Sequence, residues 1–164
     1  MSLDLRSSLT LIRDRLAEDL HLATLVTTRP GRQEPQVAVV NAAVIEHPNT
    51  GRPVVAFVAR SGVKLANLRR HPYATLVARS GWEWAAVAGP VDLSGPDDEF
   101  DDIIPSRQRQ LLRDIYQAAG GHHPDLDEYD TAMLAQRRCA VLVHTARIWS
   151  NPAGSEHFDP KAIT

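Results

Sequence analysis

Three β-branched, apolar stretches follow one another with connections too short for anything but antiparallel pairing. They are His21–Thr28, Pro35–Glu46 and Pro53–Ala59. Arg29-Pro30-Gly31-Arg32 joins the first two, and His47-Pro48-Asn49-Thr50-Gly51 joins the second pair. Both joins are turn chemistry. A parallel crossover needs roughly a dozen residues or more, so these strands must turn back on their neighbours. The same logic extends downstream. Tyr73–Arg79 and Trp82–Leu93 flank Ser80-Gly81, and Cys139–Trp149 reads as a sixth strand.

Helical spacing fills the gaps. Leu5, Leu9, Ile12 and Leu16 recur along Asp4–Leu20 with charges on the other face. Gly62–Arg70 is a short helix closed by His71-Pro72, since proline disfavours helix at the residue before it. Pro105–Ala119 and Leu126–Arg138 complete the set, the former stopped by Gly120-Gly121. The expectation is a mainly β protein, a six-stranded antiparallel barrel with appended helices. It occupies residues 1–150 as a single domain, followed by an irregular tail, 151–164. The runs Val37-Ala38-Val39-Val40 and Val54-Val55-Ala56-Phe57-Val58 do not alternate in and out. Both faces of those strands should be covered, one of them by a second subunit.

Composition narrows the function. The 164 residues carry a formal net charge of −2, which argues against non-specific nucleic-acid binding. One cysteine, Cys139, leaves no intramolecular disulfide and no cysteine-based zinc site. No apolar run approaches the ~18 residues of a membrane span, and Met1–Asp19 lacks the apolar block of a signal peptide. The expected address is the cytoplasm. There are 16 Arg but 2 Lys, a bias that makes each lysine conspicuous.

Several chemistries find no motif. No Gly-x-Gly, Walker A loop, His-Glu-x-x-His or Gly-x-Ser-x-Gly is present. His122-His123 reads as a solvated turn rather than a metal site, and the run Asp97–Asp102 as a solvated loop without EF-hand spacing. Cys139 reads as a buried structural thiol. The informative segment is Arg60-Ser61-Gly62-Val63-Lys64. Here a strand ends and a helix begins, and free N–H groups at a helix start favour an anion. Arg60, Ser61 and Lys64 would complete a compact phosphate site. A solvated basic face with Ser61 as N-cap explains the same residues. Trp82 and Trp84, two apart on a strand, share a face and suit ring stacking, an interface or the core; Glu83 faces solvent or an interface.

The order of these features resembles the flavin-binding split-barrel superfamily typified by pyridoxamine 5'-phosphate oxidase. The resemblance rests on Val54–Arg60, then Lys64-Leu65-Ala66-Asn67-Leu68, Pro72, Ala74-Thr75-Leu76-Val77 and Trp82. His21-Leu22-Ala23-Thr24-Leu25 before a Pro-Gly turn, Pro35-Gln36-Val37 and Arg147-Ile148-Trp149 are similar to the actinobacterial branch that uses the deazaflavin coenzyme F420. It spans roughly residues 16–150. The resemblance implies a split barrel and a homodimer with two cofactor sites at its interface. Arg60, Ser61 and Lys64 would hold the cofactor phosphate. Gln36, Val37, Val39 and Asn41 would lie along the ring system, Ala59 would approach it with its backbone, and Trp82 would come from the partner subunit.

Two departures matter. Val63-Lys64 stands where the oxidase has Arg-Lys, so Arg60 must supply the second charge. The oxidase's C-terminal Arg/His substrate motif is absent, which argues against vitamin B6 oxidation. The expected function is an oxidoreductase in which reduced F420 gives hydride to a small organic acceptor. FMN in place of F420, a non-enzymatic carrier and a haem-binding relative are the alternatives. Arg69 and Arg70 could meet the anionic tail of F420, though a solvated helix end explains them equally. No catalytic residue stands out; solvent or Asn41 would serve as proton source.

Overall fold

The computed structural model describes residues 5–100 and 103–151. The elements in chain order are α1 (Leu5–Glu18), β1 (Leu22–Thr27), β2 (Gln36–Glu46), β3 (Pro53–Ala59), α2 (Val63–Arg70), β4 (Tyr73–Ser80), β5 (Glu83–Ser94), α3 (Pro105–Ala118), α4 (Leu126–Ala135), β6 (Cys139–His144) and β7 (Arg147–Ser150).

Every strand pairing is antiparallel, and six strands close a ring in the order β1-β2-β3-β6-β5-β4. Two long strands make the closure possible by serving two sheets each. β2 pairs with β1 over Gln36–Asn41 and with β3 over Ala42–Glu46. β5 pairs with β4 over Glu83–Pro90 and with β6 over Val91–Ser94. The barrel is therefore split into two half-sheets that share β2 and β5, as a small closed barrel requires strongly tilted strands.

The expected sixth strand is two. The chain leaves the ladder at Thr145-Ala146, and β7 resumes along the same edge of β5, opposite Ala85–Ala88. Crowding accompanies the break: a Cβ on Gly89 would collide with the His144 carbonyl, so only glycine lets β5 pass there.

The interior is filled by inward residues of all the ring strands, among them Leu25, Val55, Phe57, Leu76, Val87 and Val141. Ile12 and Leu16 of α1 join it from the mouth where β1 and β5 begin. Leu65 and Leu68 of α2 join it from the mouth where β3 ends and β4 begins. Each of these four is at most 1% exposed, a burial that stabilises by about 1.5–3 kcal/mol per side chain.

A second cluster forms on the outer face of β3 and β6. There Val54, Ala56, Ala140 and Leu142 meet Leu111, Leu112 and Ile115 of α3 and Tyr129 of α4. This explains the missing alternation in Val54–Val58 and corrects the expectation drawn from it. The second face of β3 is covered by the chain's own helices rather than by another subunit. Among the described residues no helix is long and apolar enough to cross a membrane. The tail beyond Asn151 lies outside the described residues.

Candidate functional site

The wall formed by β1, β4 and the first half of β2 lacks the outer cover that α3 and α4 give to β3, β6 and Ile45 in the second half of β2. Val37 and Val39 are 54% and 65% exposed, and Leu22 on β1 is also exposed. The register sets Val26 opposite Val37, Thr24 opposite Val39 and Leu22 opposite Asn41, so these six share one face. The stretch 36–41 has β1 on one edge; among the described residues no strand pairs with its other edge. An apolar face thus adjoins open backbone donors and acceptors, a combination suited to a flat heteroaromatic ring.

The β3–α2 turn lies beside that edge. β3 ends at Ala59, which is 2% exposed. Arg60 and Ser61 follow on the surface, and Lys64 is half-buried on the first turn of α2. Gly62 is the N-cap with φ of 150° and makes no side-chain cap bond. That φ is accessible to glycine and costly for other residues. Ser61 therefore does not cap α2, contrary to the N-cap role its position suggests. The turn is anchored by a buried hydrogen bond at 3.3 Å, in which Asn67 Nδ2 donates to Thr27 Oγ1. Thr27 is paired with Gln36, so this bond ties α2 to the end of the wall where the expected ring-lining residues begin.

Ala59, Arg60, Ser61, Lys64 and Gln36 lie at the mouth where β3 ends and β2 begins, and Val37 and Val39 stand on the adjoining outer wall. Asn41 shares the wall, but its amide N–H group is engaged. Nδ2 donates to the Leu20 carbonyl at 3.1 Å, and the His21 and Ala119 carbonyls lie at 3.4 Å. Leu20 and His21 both have positive φ, 53° and 58°, and Asn41 holds that bend in place. Gln36 Nε2 donates to the neighbouring Val37 carbonyl at 3.3 Å.

Trp82 is not placed with them in the same chain. It sits in the β4–β5 turn, 55% exposed, at the opposite end of β4 from α2. It precedes the strand, so it does not share a strand face with Trp84 as the spacing suggests. Asn151 fixes this turn: Nδ2 donates to the Trp82 carbonyl at 3.1 Å, and Oδ1 accepts from Trp84 N–H at 3.0 Å. Glu83, expected toward solvent or an interface, pairs with Arg15 of α1. No local pattern marks Asn151 in the sequence, because its partners are 67 and 69 residues away.

Arg69 is withdrawn from the role suggested for it. Its Nε and Nη2 bind the two carboxylate oxygens of Asp98 at 2.7 and 2.8 Å. Asp98 is held below the usual carboxylate range by the Arg69 guanidinium, and Arg69 is raised chiefly by the same bond. Arg70 stays exposed, but six residues on from Lys64 it points to another side of the helix. Asp97 pairs with Arg137. The start of the acidic run is thus ion-paired rather than simply solvated, while Asp101 and Asp102 lie outside the described residues. Cys139 is buried, and burial, followed by the nearby Asp98 carboxylate, pushes its thiol up to about 12. His123 Nδ1 accepts from Asp125 N–H at 3.1 Å, and the His122 carbonyl accepts from Tyr116. Both serve the turn into α4.

No family model matches the chain. Solved structures do resemble it in fold. A pyridoxamine 5'-phosphate oxidase-related, FMN-binding protein of Nostoc punctiforme superposes with a TM-score of 0.61 at 17% identity, over 92% of this chain and 86% of the other. A conserved hypothetical protein of Mycobacterium tuberculosis also gives 0.61, at 15% identity over 92% and 84%. General Stress Protein 26 of Bacillus anthracis gives 0.51, at 12% identity over 90% and 94%. Over the described residues the chain is a closed, six-stranded antiparallel split barrel with one extra strand and four helices, the fold it shares with the pyridoxamine 5'-phosphate oxidase-related Nostoc protein.

Proposed function

We propose that this chain is an oxidoreductase that binds a flavin-type cofactor, its ribityl phosphate at Arg60, Ser61 and Lys64 and its ring against Gln36–Asn41. One observation carries the reading: a basic strand-to-helix turn adjoins an uncovered apolar wall with an open backbone edge. The turn suits a phosphate and the wall suits a planar tricycle. Arg60 and Lys64 would supply the charge-assisted contacts, and Ala59 would bring backbone close to the ring. The hydride chemistry is the cofactor's; the protein binds and orients it.

The cofactor favoured is F420, on the resemblance carried by His21–Leu25, Pro35-Gln36-Val37 and Arg147–Trp149. FMN is the second reading, and two observations favour it. The similarly folded Nostoc protein is described as FMN-binding, and Arg69, one cation available to a longer anionic tail, is tied to Asp98. The acceptor is a small organic molecule seated over the ring. The working form is a homodimer, since Trp82 reaches the ring only from a second copy.

Parallel titrations of the purified protein with F420 and FMN test the cofactor. Tight FMN binding that F420 fails to displace would replace the favoured cofactor and leave the class standing. If neither binds, the reading is wrong. Reduced cofactor that binds but passes its hydride to no acceptor in a broad panel would point to a carrier.

A further inference from the structure

Away from that site, three ligand-bearing side chains converge from separate strands. His47 directly follows β2, Asp92 lies on β5 and His144 ends β6. Both histidines turn Nε2 toward one atom, Asp92 Oδ2, at 3.0 Å from His47 and 2.6 Å from His144. The three ligand atoms lie within 4.8 Å of one another. The two imidazole rings sit 5.3 Å apart, and Phe100 packs against His47 at 5.4 Å. His47 is 4% exposed, whereas the Asp92 and His144 side chains are 39% and 31% exposed. All three line a cleft of about 550 Å³ that also borders Leu68, Pro72 and Val91.

We infer that His47, Asp92 and His144 form a binding site for one divalent transition-metal ion of the zinc class. Two imidazoles and a carboxylate are a donor set that such ions prefer, and the cleft leaves a further position for water or a ligand. A tetrahedral ion about 2.0–2.2 Å from each donor needs those donors roughly 3.4 Å apart. From contacts of 3.0 Å to His47 and 2.6 Å to His144, the carboxylate therefore has to draw back by about 0.4 Å from the first and about 0.8 Å from the second. The exposure of Asp92 and His144 gives it room.

Occupancy carries a structural cost that makes the site recognisable. In the metal-free arrangement, His47 Nδ1 accepts N–H bonds from Asn49 at 3.2 Å and Thr50 at 3.3 Å. With Nδ1 an acceptor, the proton of neutral His47 sits on Nε2 and is donated to Asp92. Coordination through Nε2 displaces that proton to Nδ1, and the two N–H groups lose their acceptor. Both bonds are at the long, weak end of the range, so the turn 47–51 can give them up. Metal binding is therefore coupled to the β2–β3 turn, and its affinity should be micromolar rather than that of a closed structural site.

The test uses the tag-free, chelator-stripped chain, titrated calorimetrically with Zn²⁺ alone and by visible absorption with Co²⁺ alone. The expected result is one ion per chain at micromolar affinity, with Co²⁺ bands of a low-coordinate nitrogen–oxygen site. His144→Ala and Asp92→Asn should each lower affinity by more than about 100-fold, beyond what loss of a merely supporting partner costs. Both sites of change are partly exposed, and an unchanged thermal melt checks that the variants fold. A His122→Ala/His123→Ala double variant should bind as the parent does. In amide NMR spectra, Asn49 and Thr50 should shift on Zn²⁺ addition in the parent and stay put in His144→Ala. Absence of binding at millimolar Zn²⁺ would overturn the proposal. So would equal affinity in parent and His144→Ala, or unmoved Asn49 and Thr50 amides. None of these readouts involves the flavin-type cofactor.

Discussion

Lys64 is one of 2 lysines in the chain, and it stands half-buried at the first turn of α2 beside exposed Arg60 and Ser61. If it binds a cofactor phosphate, Lys64→Ala should weaken cofactor affinity by ~1.5–3 kcal/mol, the range for a hydrogen bond to a charged group. The melting temperature should barely change, because this side chain contributes little to the core. A fluorescence or absorbance titration beside a thermal melt checks both halves, and unchanged affinity would remove Lys64 from the site. Cys139 gives a contrasting expectation. It is 1% exposed, and burial pushes its thiol up to about 12. A thiolate-specific reagent at neutral pH should therefore leave the native chain unmodified and label one thiol after denaturation. Labelling of the native chain would mean that the β6 end opens readily. At this scale the sequence is informative where chemistry is local. The turn Arg60–Lys64 declares itself by residue type, and Asn67 falls within the Lys64–Leu68 stretch that carries the family resemblance. The engagement of Asn41 by Leu20 and His21 is not local, because it depends on how α1 hands over to β1.

Elements were legible wherever a run of apolar residues met a turn signal. β3 begins at Pro53 and ends at Ala59 as its flanking residues imply, and α3 starts at Pro105. The break between β6 and β7 was not legible, since Cys139–Trp149 is apolar or β-branched over most of its length. The close pass of Gly89, on another strand, under the His144 carbonyl accompanies the break and has no local signal in that run. Ion pairs between elements are hidden for the same reason. Arg69 at the C-terminal end of α2 clamps Asp98 in the β5–α3 connection, 29 residues on. The Asp98 side chain is 10% exposed and that of Arg69 37%. Asp98→Asn should cost about 1 kcal/mol at neutral pH, the bidentate geometry being offset by the exposure of Arg69. The pH dependence has a definite sign. The Arg69 guanidinium holds the folded carboxyl below the ordinary aspartate range, so its contribution is fully present above that range. It is lost as pH falls through the lower folded value. Chemical denaturation of both proteins from neutral pH down to about pH 3 should show the gap between them closing below pH ~4. A gap that stays constant with pH would mean that the substitution acts through packing instead.

Considered whole, the barrel has two unlike walls. β3 and β6 bury both faces, inward against the barrel and outward against α3 and α4. Among the described residues α3 and α4 leave β1, β4 and the first half of β2 uncovered, and Val37 and Val39 stand out from β2. Sequence reading grouped the Val37–Val40 and Val54–Val58 runs as one signal of a second subunit, because a continuous apolar run looks the same whichever element covers it. The structure separates them: one run is answered inside the chain and the other is not. The remaining wall is the face a second copy would cover, and Trp82 at the far end of β4 gives that copy something to supply. Valines as exposed as Val37 and Val39 contribute little to the chain's own folding. Val39→Asp should therefore keep the barrel intact while placing a charge where two copies would meet, a desolvation that an interface core does not tolerate. The parent should sediment at roughly twice 18.1 kDa at micromolar concentration, and Val39→Asp near 18.1 kDa with an unchanged circular dichroism spectrum. Cofactor affinity should fall in the variant along with dimerisation, because the ring would lose its apolar contact with Val39 as well as any Trp82 that a second copy would provide. A parent that sediments as a monomer yet binds cofactor tightly would show that one chain completes the site, and Trp82 would then have no part in it.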